Sequence, residues 1–228
     1  MPRAPSVVIS LAILAATVAT TAFTTTARAA EDEDASLARA REVPRSSGPR
    51  LALRSGFAFP FGQTFVASGA ISDTVTGYVP IRVDLGYRFS RHFCVGVAAQ
   101  LADVVANTCP SGTTCSGSNL RFGVMLAYHL LPSRAIDPWL GIGMGFEQLS
   151  VSRAVGDARV DIAARGIELL DVELGADYRP TRAFRIGPVL SSSIGQFTAV
   201  TVNGTATSDF SPVLHAWVMI GLRGAFDL

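Results

Sequence analysis

Residues 79–89 read Val-Pro-Ile-Arg-Val-Asp-Leu-Gly-Tyr-Arg-Phe, with an apolar residue at every second position. Successive residues of a β-strand point to opposite faces, so this stretch predicts a strand with one apolar and one polar face. Charges of both signs, on Arg82, Asp84 and Arg88, are confined to the second face. An uncharged face opposite a charged one is typical of a strand that meets lipid on one side.

The same alternation recurs after residue 50, in stretches that begin near residues 51, 93, 120, 139, 170, 184 and 214. The stretch from 184 is the weakest, because serines stand on both of its faces. The faces assigned as apolar carry no charge, and the opposite faces carry Arg54, Arg82, Asp84, Arg88, Arg121, Glu147, Asp171, Glu173, Asp177, Arg185, Arg223 and Asp227. We therefore predict an all-β fold, an eight-stranded antiparallel up-and-down transmembrane β-barrel. These charged residues are predicted to form an ion-pair network that closes its lumen.

The connections between these stretches alternate in length. Those at 62–77, 102–119, 149–166 and 197–212 are long, and those at 90–92, 131–137 and 179–183 are short. Outer-membrane barrels have short periplasmic turns and longer external loops, so both termini are expected on the short-turn side. Aromatic residues then fall at both ends of the strands, as interfacial girdles require. A soluble ligand-carrying barrel would show the same alternation with its faces exchanged.

The first residues carry the features of an export signal. Arg3 precedes an apolar run over residues 7–16, and the small-residue sequence Ala27-Arg28-Ala29 follows. This order predicts a secretory signal peptide over residues 1–29, with a retained anchor as the alternative. Residues 30–49, which begin with the acidic run 31–34, predict a disordered periplasmic leader. The barrel domain is then expected over residues 50–228, and the localisation is the cell outer membrane.

The chain resembles the small outer-membrane β-barrel families that include OmpX and the transmembrane domain of OmpA. The resemblance rests on strand count, polarity and the C-terminal sequence Ile220-Gly-Leu-Arg-Gly-Ala-Phe-Asp-Leu228. That ending is similar to the sorting signal of the class, although the usual terminal phenylalanine is replaced by Leu228. The resemblance implies two partners, outer-membrane lipid and the barrel-assembly machinery, the latter through the C-terminal strand.

Two cysteines in one long loop predict a disulfide. Cys109 and Cys115 stand six positions apart, and in an exported protein such a pair is expected to be oxidised, with free thiols as the alternative. No histidine lies near them, so no metal site is predicted. Cys94, on the inward face of the third strand, is interpreted as inert packing.

The loop between the seventh and eighth strands contains Asn203-Gly204, the signal of a two-residue hairpin turn. Such a turn pairs Val202 with Thr205, whereas the lipid-facing residues of the same two strands require a register shifted by one residue. We therefore predict a β-bulge, either around Gly195 or within residues 208–212, if the turn forms.

The sequence supports three functional hypotheses and does not specify a ligand. A net charge of +1 argues against nucleic acid as a partner, and no cofactor or catalytic residue is predicted. A structural or surface-interaction protein is the first hypothesis, a narrow small-solute channel the second, and a lipid-modifying enzyme the third. His215 faces inward near Ser191 and Ser193, but the alternation assigns no carboxylate to orient it. His129 is expected to bond water or neighbours of Arg121.

Overall fold

The computed structural model describes residues 47–62, 71–73, 75–106, 109, 112–156, 158–181, 183–207 and 211–228. The strands are β1 (Gly48–Gly62), β2 (Val75–Arg88), β3 (Phe93–Ala106), β4 (Thr113–His129), β5 (Ile136–Val155), β6 (Ala158–Tyr178), β7 (Phe184–Val202), β8 (Thr205–Ala206) and β9 (Val213–Asp227). A short 3₁₀ helix spans Ile71–Asp73. No helix in these ranges has the length and apolar character needed to cross a membrane.

The eight long strands of the described ranges form a closed antiparallel barrel. Each strand from β1 to β7 pairs with the next, and β9 pairs with both β7 and β1. The two-residue β8 pairs only with the end of β7. The predicted fold class is therefore confirmed. The barrel begins at Gly48, two positions before the predicted boundary, and the predicted signal peptide and most of the leader lie outside the described residues.

The outer surface carries an apolar belt. Along β2, for example, Val79, Ile81, Val83, Leu85 and Tyr87 are exposed, while Arg82, Asp84 and Arg88 are buried. Aromatic side chains lie at both ends of the belt. At the short-turn end are Tyr87, Phe89, Phe93, Tyr128, Tyr178, Phe184 and Phe226, and at the long-loop end are Phe57, Phe59, Phe61, Phe122 and Phe146. This is the exterior of a barrel that crosses a bilayer.

A β-bulge in β6 changes which residues face the lumen. The pairing of β6 with β5 and with β7 shifts register between Glu168 and Leu170, and both Leu169 and Leu170 are exposed. Below the bulge the even-numbered residues face lipid, and above it the odd-numbered Ile167 and Arg165 face outward. Glu168 therefore points into the lumen, although strict alternation with Leu170 would place it in lipid.

Part of the predicted long loops consists of strand. The segment 149–166 was expected as a loop, but β5 and β6 continue as a paired hairpin, with Gly156 at a φ of 56° beside the tip. The ten residues from Phe146 to Val155 extend about 30 Å along the strand. Above the belt the outer face becomes polar, with Gln148, Ser152, Arg165 and Asp161. The hairpin therefore has a polar outer face, whereas the outer face of the membrane-embedded wall is apolar.

The predicted register conflict near Asn203-Gly204 is resolved by a break in the ladder. Both turn residues have positive φ, 49° and 81°, and Val202 pairs with Thr205. In the barrel wall, Phe197 pairs with Val213, a register three residues away from that of the hairpin. No shift occurs near Gly195 on the β9 side. The chain that leads into β9 therefore has three more residues than the hairpin register allows, whereas one was predicted. They lie between Thr207 and Val213, a segment that contains the second of the two predicted places, residues 208–212.

Candidate functional site

The polar side chains of the lumen lie in three groups along the barrel axis. From the short-turn end upward, we call them the short-turn cluster (Arg50, Arg88, His129, Asp137, Asp177, Arg185, Arg223 and Asp227), the middle cluster (Arg54, Arg82, Asp84, Asp171 and Glu173) and the upper cluster (Gln100, Asn119, Arg121, Glu147, Glu168, Ser193 and His215). All are buried except Asp227, whose side chain is 17% exposed. The twelve residues predicted to face the lumen all belong to these clusters.

In the middle cluster, two arginines on neighbouring strands meet three carboxylates. Arg54 and Arg82 are directly paired on β1 and β2, so each guanidinium needs an acid across the lumen. Arg54 contacts Asp84 at 2.6 Å and Glu173 at 2.8 Å. Arg82 contacts Asp84 at 3.0 Å, Asp171 at 2.8 Å and Glu173 at 2.9 Å. The two acids from β6 thereby connect opposite walls of the barrel.

In the short-turn cluster, aspartates bridge arginines from different strands. The Asp177 carboxylate lies 3.0 Å from Arg50 and 3.1 Å from Arg223, and Trp139 donates its indole N–H to the same carboxylate. The Arg223 guanidinium stands over the Trp139 ring, 4.3 Å from its centroid. Such stacking adds a cation–π attraction to the ion pair.

Within that cluster, His129 lies between Arg50 and Asp137. Arg50 Nη1 is 2.5 Å from His129 Nε2, and His129 Nδ1 is 2.8 Å from Asp137 Oδ2. A guanidinium only donates, so Nε2 must accept and Nδ1 must carry the proton that is donated to Asp137. The contact expected between His129 and the neighbours of Arg121 is therefore wrong. His129 is the last residue of β4, eight positions from Arg121, and belongs to a different cluster.

The upper cluster is organised by Arg121 and Glu147. Arg121 contacts Glu147 at 3.1 Å and Glu168 at 2.8 Å, and donates to the Ser193 hydroxyl at 3.0 Å. Asn119 donates to the other Glu147 oxygen at 2.6 Å. His215 Nε2 lies 2.7 Å from Glu147 Oε2, so a carboxylate does orient His215. The sequence assigned no carboxylate to His215, and that expectation was wrong. Glu147 reaches His215 from β5, a strand that is not a neighbour of β9 in the sequence or in the sheet.

Toward the long-loop end, the lumen contains an apolar group of side chains, partly level with the upper cluster and partly above it, that we call the apolar plug. Its members toward the long-loop end include Ala58, Ile71, Val75, Tyr78, Ala102, Leu149, Ala164, Phe197, Val200 and Trp217. The rings of Tyr78 and Trp217 are 4.5 Å apart, and Phe197 stacks on His215 at 3.9 Å. The 3₁₀ helix contributes Ile71, which is 1% exposed.

A lipid-facing belt around a charged lumen decides the class of this protein. It is an eight-stranded antiparallel β-barrel whose apolar outer belt is typical of barrels that cross a membrane. The fold is similar to those of solved outer-membrane proteins, and the similarity extends over most of the chain. Neisserial surface protein A (NspA) is 16% identical, with a TM-score of 0.46 over 78% of this chain and 98% of that one. OprG of Pseudomonas aeruginosa is 14% identical, with a TM-score of 0.45 over 82% of this chain and 100% of that one.

Ail, the attachment invasion locus protein of Yersinia pestis, is 11% identical, with a TM-score of 0.41 over 82% of this chain and 100% of that one. No protein-family model and no curated protein sequence matches this chain.

The sequence analysis did not assign several residues to the lumen, and each omission has an identifiable cause. Arg50 precedes the first alternating stretch, which begins near residue 51, and Asp137 falls in a predicted short turn. Glu168 has the same parity as the lipid-facing residues of β6 unless the bulge is known. Arg179, in the β6–β7 turn, is buried and donates to the Pro132 carbonyl. A usable signal was the adjacent pair Leu169-Leu170, because two consecutive apolar residues within an alternating strand indicate a bulge.

The cysteines behave as the sequence predicts. Cys109 and Cys115 form a disulfide at the start of β4, and Cys94 is buried with a free thiol. Within the described ranges, no group of three or more histidine, cysteine or acidic side chains is arranged to hold a metal ion.

Proposed function

We propose that this protein is a closed, non-conducting outer-membrane barrel that acts through its long-loop end, in a structural or surface-interaction role. The observation that carries the proposal is the filling of the lumen, in which the apolar plug packs against the upper cluster and two further groups of paired charges lie below them. An ion that moved along the axis would have to displace packed rings and then separate buried ion pairs. Leaving one partner of such a pair buried without the other costs about 3–5 kcal/mol.

The filling of the lumen by side chains supports a closed state. A cavity of about 10 Å³ lies between the lumen residues Arg82, Gln100, Arg121, Glu168 and Asp171 and the outer-face residues Phe122, Val124 and Met144. Such a volume accommodates about one water molecule. An eight-stranded barrel leaves an interior that side chains can fill, and here buried guanidinium and carboxylate groups occupy it.

Planar-bilayer recording separates a closed barrel from a small-solute channel. We expect the purified protein to insert without discrete conductance steps. Trp217→Ala, which removes a ring from the apolar plug, tests whether any observed current passes through the lumen, and Phe226→Ala on the lipid face is the matched control. Steps in the wild-type protein that change with Trp217→Ala but not with Phe226→Ala would establish the channel instead.

The β5–β6 hairpin is the part of the long-loop end best suited to contact a partner. It is paired throughout, so it is stiffer than a loop, and its outer face presents a polar group in which Asp161 contacts both Arg159 at 2.8 Å and Ser152 at 2.5 Å. Binding residues are frequently carried beyond a rigid scaffold in this way.

A shortened hairpin tests this assignment. Replacing residues 153–160 with Asn-Gly would leave the Ser152–Asp161 pair joined by a two-residue turn. We expect the shortened barrel to fold, as judged by a heat-modifiable gel shift, and to abolish adhesion of expressing cells to protein- or glycan-coated surfaces. Unchanged adhesion in the shortened variant, or no adhesion by wild-type cells on any surface, would contradict the role of the hairpin.

We propose no catalytic role for Ser193 and His215. The Ser193 hydroxyl accepts from Arg121, the residue is 2% exposed, and Phe197 covers the His215 ring. A hydroxyl nucleophile needs a base within hydrogen-bond reach and a path for its substrate. Expression should therefore leave the mass of lipid A unchanged. A mass shift that disappears in Ser193→Ala would overturn this proposal.

A further inference from the structure

One arginine stands on the outer face of the barrel just beyond the apolar belt. Arg165 of β6 is exposed and lies two positions, about 7 Å along the strand, from Ile167 in the direction of the long-loop end. Ile167 is 44% exposed and pairs with Phe146, which is 69% exposed and pairs in turn with Phe122. Exposed aromatic rings mark the level of the lipid headgroups in a membrane-spanning wall. Arg165 therefore lies at the headgroup level of the leaflet at the long-loop end.

The charge of Arg165 is not balanced by a neighbouring acid. Its Nε donates to Gln148 Oε1 at 2.9 Å, and among the described residues Arg165 forms no ion pair. Its two Nη groups therefore carry N–H donors that have no acceptor in this part of the chain. Asp161, the nearest acid on the outer face of the same strand, is four positions away and is held by Arg159 Nε at 2.8 Å. An exposed cation in this state attracts anionic groups.

Polar, uncharged side chains surround Arg165 on the outer face. Gln148 pairs directly with Arg165, and its amide group donates to the Ser150 hydroxyl at 3.3 Å. On β7, Gln196 faces outward, and the Thr198 hydroxyl lies 3.5 Å from the Arg165 carbonyl oxygen. We call these five residues the Arg165 patch, namely Arg165, Gln148, Ser150, Gln196 and Thr198. The patch combines one guanidinium with further hydrogen-bond donors, and it is continuous with the apolar belt.

We propose that the Arg165 patch binds the phosphate group of a lipid headgroup in the leaflet at the long-loop end. A guanidinium matches a phosphate with paired hydrogen bonds, and a basic side chain near a bilayer surface favours anionic headgroups. The acyl chains of the same lipid would lie on the apolar belt at Ile167 and Phe146, a contact that soluble phosphate lacks. The patch excludes residues 153–160, so this inference is independent of the adhesion proposed for the β5–β6 hairpin.

Native mass spectrometry can count the lipids that the folded barrel retains. The exported full-length protein in non-ionic detergent is titrated with lipid A that carries both phosphates, and with the same lipid after removal of its phosphates. We expect tighter binding of the phosphorylated form. Arg165→Gln should weaken that binding about fivefold, which is the usual contribution of one basic residue at a headgroup. Binding of the phosphate-free lipid should stay unchanged in this variant.

Gln148→Glu provides a second test, because it gives Arg165 a carboxylate of its own chain and should also weaken binding of the phosphorylated lipid. Arg159→Gln removes an arginine of the same face that already pairs with Asp161, so it is the matched control and should preserve binding. The variant in which residues 153–160 are replaced should bind like the wild type. A heat-modifiable gel shift reports whether each variant is folded.

Three results would overturn the proposal. The first is equal binding of the phosphorylated and phosphate-free lipids by the wild-type protein. The second is an affinity for the phosphorylated lipid that is unchanged in Arg165→Gln, or reduced as much in Arg159→Gln. The third is full displacement of lipid A by inorganic phosphate, because it would show that the patch recognises soluble phosphate and gains nothing from the adjoining belt.

Discussion

Replacing Arg82 tests whether the middle cluster holds the barrel together. Arg82 contacts three carboxylates, and two of them, Asp84 and Glu173, keep a second arginine at 2.6 and 2.8 Å when it is removed. Asp171 keeps none among the ion pairs of the described chain, and its other oxygen already lacks a hydrogen-bond donor. Arg82→Met therefore strands one buried carboxylate, for which we expect a loss of about 3–5 kcal/mol in the free energy of unfolding.

Removing the stranded charge should restore part of that loss. Asp171→Asn alone leaves Arg82 with two acids, so we expect a cost of about 1–3 kcal/mol, that of one charged hydrogen bond. In Arg82→Met/Asp171→Asn both remaining carboxylates, Asp84 and Glu173, still contact Arg54, so the double variant should be more stable than Arg82→Met alone. The expected coupling energy is about 2 kcal/mol, within the range observed for residues in one network.

Equilibrium urea unfolding in lipid vesicles, followed by tryptophan fluorescence and by the folded-barrel gel band, measures all four proteins. Two probes that report the same transition justify a two-state treatment. Additive costs in the double variant, or a cost for Arg82→Met below about 1 kcal/mol, would show that the middle cluster is hydrated or rearranged and does not act as a paired network.

Val83→Arg, on the lipid face next to Arg82, should cost about 2–4 kcal/mol if it lies near the bilayer midplane, and tolerance of arginine there would contradict the assigned facing. Deleting Leu169 should remove the β6 bulge and leave Glu168 facing the lumen and Leu170 facing lipid, so we expect a folded band on a gel, whereas loss of the folded band would contradict the assigned register. Alkylation before and after reduction should label Cys109 and Cys115 only after reduction; labelling without reductant would disprove the disulfide. Intact mass after export should lack residues 1–29, and a retained N-terminus would refute the signal peptide.

Much of the fold follows from local pattern because a strand has a side-chain period of two. Alternation along 79–89 and its repeats specifies which face of each strand is apolar, and loop lengths specify the order of up and down strands. Two cysteines six positions apart in one loop of a chain expected to be exported likewise suffice to predict their disulfide. None of these inferences requires knowledge of which residues meet across the lumen.

Register and partner choice depended on the closed tertiary structure. The bulge at Glu168 and the register break before Val213 are set by hydrogen bonds to neighbouring strands, and each moves side chains to another face. The pairing of His215 with Glu147 joins strands that are not neighbours in the sheet, so only closure of the barrel brings them together. The sequence alone determined the wall of this barrel, because alternation is local. The contents of its lumen were decided by tertiary structure, because ion pairs across a closed sheet are long-range.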